Sequence, residues 1–584
     1  MVENHQSAQF HPPVRYIVSF PEPRAHYAFV EACLPAGDAE EIEVFMPVWT
    51  PGSYLVREYA RNIEAILATN PAGQPLPFVK SSKNRWKIQT GGASGIRLNY
   101  RVYCREMSVR TNWVEDGFAL LNGAPTFVTS TGLLDWPHEV QIDLPSHWTI
   151  TVTGLPEAPN GPSHRYLAQD YDALVDSPIL SGNPAVYHFE VDGIAHFLVN
   201  EGEAGVWDGP RSASDCETIV RRYRDMWGSL PYQKYVFLNL LTESPGGLEH
   251  GNSVCLMSSR WATRTRGPYL RWLNLVSHEF FHVWNIKRLR PAELGPFDYE
   301  RENYTRSLWI AEGITDYYAA LTVRRSGLSD TAEYLASLSE VIQALQSTPG
   351  RLVQSAEESS FDAWIKLYRP DENSVNTSVS YYTKGTAVAW ILDALIRQST
   401  SGARSLDDVM RLAFERFSGE RGFTTEEFKA LAGEVAGVPL GSFFSHAVEA
   451  AAELDYTPAL DWFGLRFKNV DAPKTCCVIG AETRIDNGRL LVKKIPRGTR
   501  AAESGLNVDD EIIAIDEFRV RPDQLSQRLE NYRPGDKVTL LVARRDAILR
   551  IGLVLSAERK LWQLEILPDA TGAQKRNLAR WLGL

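Results

Sequence analysis

Hydrophobic and polar residues alternate from Val14 to about Asn200, as in Tyr16-Ile17-Val18-Ser19-Phe20, Glu41-Ile42-Glu43-Val44-Phe45, Leu98-Asn99-Tyr100-Arg101-Val102-Tyr103 and Val140-Gln141-Ile142-Asp143-Leu144. Successive side chains of a strand point to opposite faces. Period-two runs broken by Pro, Gly and Asn therefore predict a β-sandwich-like domain over residues 1–200. Past Asn200 the pattern changes, to a helical stretch from Cys216 to Trp227, an apolar strand from Tyr235 to Leu241 and a sharp turn at Gly246-Gly247. Helical periodicity dominates from Pro268 to about Asp455, so residues 201–458 read as a mixed lobe followed by a helical lobe. Short strands return between Trp462 and Leu555, among them Leu490 to Ile495, Glu511 to Ile515 and Lys537 to Val542. They predict a small β-rich domain over 459–560. In the remaining tail, 561–584, Leu578, Trp581 and Leu582 fall on one apolar helical stripe. The predicted fold class is multidomain α+β.

Length supports several domains, because 584 residues exceed what one hydrophobic core organises. With 44% hydrophobic residues and 16 Trp, 23 Tyr and 23 Phe, the chain can fill several cores, and disorder is not a serious reading. A net charge of -11 argues against a nucleic-acid surface, which needs clustered Lys and Arg. The six cysteines, Cys33, Cys104, Cys216, Cys255, Cys476 and Cys477, form no CxxC pair. They read as free thiols of a reducing compartment. No apolar segment of the length of a membrane span occurs, and the first fifteen residues lack the apolar region of a signal peptide. A cytoplasmic chain without membrane contact is therefore expected.

The chemistry concentrates in Ser277-His278-Glu279-Phe280-Phe281-His282-Val283-Trp284. HExxH on a helix puts both imidazoles one turn apart on one face, where they can bind one Zn²⁺. Glu279 stands beside them, where a carboxylate can act as general base on water activated by the metal. The same pattern arises by chance on surface helices, but Phe280, Phe281, Val283 and Trp284 place this one in a core. Buried polar groups there need a partner. Downstream, Trp309-Ile310-Ala311-Glu312-Gly313-Ile314-Thr315-Asp316 offers Glu312 as third ligand, leaving one position for water. Asp316, one turn on, suits a carboxylate that accepts the outer N–H of a ligand histidine, His278 being the candidate.

HExxH followed by a helical ExxxD resembles the gluzincin clan of thermolysin-like metallopeptidases. The 29 residues between His282 and Glu312 exceed the usual spacing there, so an insertion around Arg288 to Tyr304 is expected. Gly246-Gly247-Leu248-Glu249-His250 resembles the exopeptidase signature GxMEN of aminopeptidases, with His250 in place of the usual Asn, and Tyr381-Tyr382-Thr383-Lys384-Gly385 resembles their YxKG element. The resemblance implies that Gly246 and Gly247 lie on a substrate-pairing edge strand, that Glu249 meets the free α-ammonium, and that Tyr382 donates to the oxyanion, with Tyr381 as its rival.

Together with Pro47-Val48-Trp49-Thr50-Pro51-Gly52-Ser53-Tyr54 and the run to Arg61, these motifs are similar to the glycyl aminopeptidase family. That family implies an N-terminal β domain, a thermolysin-like α/β catalytic domain with a helical lobe, and a C-terminal PDZ domain. It also implies a preference for N-terminal Gly or Ala. Ile495 to Leu506 and Val508 to Asp516 look like the bacterial PDZ form, which would take a peptide C-terminus, with Phe463-Gly464-Leu465 as the carboxylate loop. The expected activity is that of a one-zinc aminopeptidase acting on peptides with a free N-terminus. Its alternatives are a zinc endopeptidase with PDZ-guided substrate delivery and a non-catalytic PDZ scaffold.

Overall fold

The computed structural model describes residues 12–159, 161–468, 477–557 and 562–584. The chain divides between Asn303 and Tyr304 into two compact units.

The first unit begins with β layers. Val14–Ser19 pairs in parallel with His138–Asp143 and antiparallel with Tyr27–Pro35, within a six-stranded sheet that also holds Arg165–Ala168, Gly95–Tyr103 and Ile63–Thr69. The sequence alternation is realised here: Val14, Tyr16 and Val18 are buried while Arg15 and Ile17 face out. A four-stranded sheet (Ile150–Thr153, Ile179–Gly182, Ala119–Leu121, Trp113–Val114) and a three-stranded one (Glu41–Phe45, Arg85–Gln89, Phe78–Ser82) complete this region. Much of it shares one core, in which each fully buried Val or Leu contributes about 1.5–3 kcal/mol.

A separate five-stranded sheet follows, in the order Ala185–Val191, Ile194–Glu201, Lys234–Leu241, Ser253–Ser258, Gly246–Glu249. The change of character expected near residue 200 thus falls inside a sheet, whose first strand starts at Ala185. Ala185–Val191 is an edge strand with mostly alternating burial, so its period-two pattern looks like that of the preceding domain. Lys234–Leu241 is paired in parallel on both sides and buried along nearly its whole length. Gly246–Glu249 closes the far edge, antiparallel to Ser253–Ser258, with Gly247 opposite Leu256.

Helices Gly209–Trp227 and Arg266–Phe281 accompany this sheet, joined by Tyr223, whose hydroxyl lies 2.9 Å from Ser277 Oγ, and by Trp227 stacked on Trp284. The inserted stretch after His282 is fixed on the N-terminal segment. Trp49 Nε1 donates to the Asp298 carbonyl at 2.8 Å, Val48 N donates to Tyr299 O at 2.9 Å, and Arg85 pairs with Glu300. The motif from Pro47 to Arg61 is therefore partly a seat for this insertion.

Asp176 ties the same unit together. Its carboxylate accepts from Lys287 Nζ at 2.6 Å, lies 3.1 Å from His250 Nδ1, and accepts from Gly251 N at 2.8 Å. Burial pushes its pKa up, but the Lys287 ammonium and the His250 bond outweigh that and hold it at about 2. A folded pKa below the unfolded ~3.9 stabilises above that value, and the contribution is lost as pH falls toward 2. Asp176→Asn should cost about 2 kcal/mol at neutral pH, and its deficit should shrink between pH 4 and 2, as followed by denaturant unfolding.

The second unit is helical from Ile314–Arg325 through Thr457–Phe463, and Tyr381–Ser399 is one of its most deeply buried helices. The C-terminal helix Gly572–Leu582 buries Leu578, Trp581 and Leu582, and Trp581 Nε1 donates to the Tyr317 hydroxyl at 2.8 Å. Residues 477–557 form a β-rich module with its own core, including Leu490, Val492, Ile512, Leu540 and Val542. Its Ile495 carbonyl and Arg497 N–H both bond the Asn376 side chain.

Phe463-Gly464-Leu465, expected as a carboxylate loop, lies elsewhere. Phe463 ends helix Thr457–Phe463, is fully buried and stacks on Trp581 with ring centroids 4.1 Å apart. Gly464 is the left-handed cap of that helix, and Leu465 begins a strand paired with Leu564–Ile566. A buried ring and a strand already paired leave these residues no surface for a peptide end.

Cys33, Cys104, Cys216 and Cys255 are free thiols, and Cys476 lies outside the described residues. Among the described residues no helix is long and apolar enough to cross a membrane.

Candidate active site

Helix Arg266–Phe281 buries Tyr269, Trp272, Leu273, Val276, Phe280 and Phe281, and this fixes where its polar residues point. Ligand atoms of His278, Glu279 and His282 converge within 4.8 Å of one another. His282 is 1% exposed, and its Nδ1 lies 3.0 Å from the Asn285 carbonyl oxygen. A carbonyl only accepts, so Nδ1 carries the proton and Nε2 presents a lone pair. That lone pair faces His278 Nε2 at 3.1 Å. Two imidazole nitrogens so close need a proton or a metal ion between them. A tetrahedral metal with bonds of about 2.0–2.1 Å would separate two ligand nitrogens by about 3.3 Å, so this donor pair fits one.

Glu279 is 5% exposed and lies directly over the edge strand. A Cβ placed on Gly247 would come within 1.9 Å of Glu279 Oε1, so only glycine lets the strand run this close to the carboxylate. Gly246 faces the other way, toward Val109. Residues two apart on a strand share a face, so Glu249 projects on the same side as the Gly247 approach to Glu279, about 7 Å along.

Glu249 is itself 5% exposed, and its carboxylate has no hydrogen bond or ion pair among the described residues. It is backed by Gly52, whose φ of +85° is a glycine conformation and where an added Cβ would lie 2.5 Å from Glu249 Oε1. The N-terminal motif thus packs directly against Glu249.

In the second unit Glu312 is 2% exposed and sits in a π-helical turn, Trp309–Gly313. Such turns re-aim side chains and are frequent at functional sites. The turn crosses helix Tyr381–Ser399 glycine on glycine: a Cβ on Gly313 would lie 2.5 Å from Gly385 Cα. Tyr381 is fully buried, whereas Tyr382 is partly exposed, its hydroxyl 3.5 Å from that of Tyr368. Burial first, and the Glu312 carboxylate second, push the Tyr382 phenol well above its usual value, so it remains a hydrogen-bond donor. Asp316 is half-buried on the helix that follows Glu312.

Residues 15–183 match the Peptidase M61 N-terminal domain and residues 271–388 match the M61 glycyl aminopeptidase family. Both matching models are of the M61 glycyl aminopeptidase family. The second M61 match runs through His278, Glu279, His282, Glu312, Asp316 and Tyr382, and the first through Gly52 and Asp176. A crystal structure of an aminopeptidase N family protein from Idiomarina loihiensis superposes with a TM-score of 0.91 at 29% identity, covering 97% of this chain and 100% of that one. An M1 zinc metallopeptidase from Deinococcus radiodurans gives a TM-score of 0.48 at 13% identity over 76% of this chain and 95% of its own. No curated protein matches. The chain is a peptidase. Gly246 to His250 fall outside both family matches, so their placement rests on the geometry above.

Asp176, the Asn285 carbonyl and the role of Gly52 were not identified from sequence. Asp176 and Gly52 act through tertiary contacts with residues far along the chain, which nothing in local pattern marks, while the Asn285 carbonyl meets His282 only because the chain turns just after the helix.

Proposed function

We propose that the chain is an aminopeptidase that removes small N-terminal residues, Gly or Ala, from peptides, with one Zn²⁺ held by His278, His282 and Glu312. Two imidazoles and a carboxylate are a donor set suited to catalytic zinc, which when bound supplies a Lewis acid and brings the pKa of water toward neutrality. Glu279 takes the proton of the attacking water and passes it to the leaving amine. The Tyr382 hydroxyl donates to the developing oxyanion, and Asp316 orients His278 by accepting its ring N–H.

The observation that carries the reading is Glu249. The Glu249 carboxylate bonds no group among the described residues, and the α-ammonium of a peptide is a cation of the right charge to pair with it. Its place on the same strand face as the Gly247 contact with Glu279 supports this pairing of an amine anchor with the base. The preference for small residues follows the family description, and the closeness of Gly52 to Glu249 supports it. The module 477–557, with its six-stranded sheet and short helices Arg500–Ser504 and Leu525–Leu529, is proposed as PDZ-like, taking peptide C-termini by strand addition.

The test compares hydrolysis of Gly-, Ala- and Leu-initiated peptides, with free and acetylated N-termini, by metal-loaded and chelated protein. Chelator-sensitive cleavage confined to free N-termini, fastest for Gly and Ala, is expected. Cleavage of acetylated peptides would replace the reading with an endopeptidase, and no cleavage would favour a binding scaffold.

A further inference from the structure

Arg110 lies in the turn between strands Gly95–Tyr103 and Trp113–Val114, and this turn is rigidly built. The Arg110 N–H donates to Ser108 Oγ, its carbonyl accepts from the buried Tyr59 hydroxyl at 2.9 Å, and Thr111 Oγ1 bonds the Glu106 carbonyl at 2.7 Å. Val109, 1% exposed, sits in ordinary contact with the Cβ side of Gly246. The turn is thereby seated against the edge strand, and Arg110 Nη2 reaches the Gly247 carbonyl oxygen at 3.3 Å.

Gly247 therefore carries the Glu279 carboxylate on its Cα side and the Arg110 guanidinium on its carbonyl. Arg110 forms no ion pair among the described residues, and its Nε is buried without a hydrogen-bond partner. A guanidinium with one neutral acceptor and an unused donor is an incompletely satisfied fork, the group that best matches a carboxylate.

Glu249 marks where a substrate's amine ends and Glu279 marks the bond that breaks. Arg110 meets the strand at Gly247, two residues from Glu249 and level with the Glu279 contact, so it stands away from the amine end of a bound peptide. Resting on the aminopeptidase reading, we propose that Arg110 binds the C-terminal carboxylate of short substrates, making dipeptides and tripeptides with a free C-terminus the preferred class. The site would hold both ends of a small peptide, ammonium on Glu249 and carboxylate on Arg110.

The experiment measures kcat/KM of metal-loaded protein on glycyl dipeptides and tripeptides as free acids and as C-terminal amides. A charge-assisted bond should favour the acids about ten- to a hundredfold, expressed in KM. In Arg110→Gln that ratio should collapse toward one, with Arg110→Lys in between. A binding readout accompanies it: calorimetric titration of Glu279→Gln with glycylglycine and its amide should show the same preference. Free acids and amides cleaved equally by the unmodified protein would overturn the proposal while leaving the aminopeptidase standing. A preference that survives in Arg110→Gln would also overturn it, and that variant's amide hydrolysis reports that it has folded. If no peptide with a free N-terminus is cleaved, the underlying reading fails, and this one with it.

Discussion

Glu279→Gln is expected to lower kcat by about three orders of magnitude or more while leaving the metal content of the protein unchanged. Gln has nearly the shape of Glu, so the helix core made by Val276, Phe280 and Phe281 is undisturbed. His282 keeps its Asn285 bond and with it the tautomer that presents Nε2. What disappears is the proton acceptor, and general acid–base catalysis supplies about 10²–10⁴-fold, with further loss where one group serves both proton transfers. Metal analysis and peptide hydrolysis on the same preparation check this. Retained turnover would remove Glu279 from the mechanism, and lost metal would show it to be a ligand.

Much of this site is legible in the sequence because its logic is local. HExxH is a statement about one helical turn, and the apolar residues around it state that the turn is buried. The two imidazole nitrogens then meet at 3.1 Å as the spacing requires. The alternation of Val14, Tyr16 and Val18 likewise reads directly as a half-buried strand. The failures share a cause. Ala185–Val191 alternates like the strands before it, yet pairs into the following sheet, because pattern specifies the face of a strand and not its partner. Phe463-Gly464-Leu465 matches a loop motif three residues long, but Gly464 serves as a helix cap and Phe463 packs on Trp581, more than a hundred residues onward. Arg110 acts on the edge strand, and Asp176 on His250 and Gly251 just past its end, from distant parts of the chain, and Gly52, for all its place in a family motif, acquires a role only when its Cα meets Glu249.

The second large effect concerns a residue with no chemistry of its own. Gly247→Ala should reduce kcat about a hundredfold or more. The new methyl would begin 1.9 Å from Glu279 Oε1 and 2.4 Å from Cδ, far inside contact distance. The strand is held to Ser253–Ser258, whereas the Glu279 side chain can rotate, so the carboxylate is the part that yields. A displacement of about 1 Å from productive geometry is enough for a loss of this size. The backbone of Gly247 is not in a left-handed conformation, so the fold tolerates alanine, and the thermal midpoint should shift by only a few degrees. Gly246→Ala provides the comparison one residue away. Its methyl would meet only Val109 at 3.6 Å, and its loss should be at least tenfold smaller. The two alanines place a methyl on opposite faces of one strand, so the difference between them measures how closely that strand lies over the base. Equal activities would mean that Gly247 and Glu279 do not meet in solution, and that the edge strand holds its substrate somewhere else.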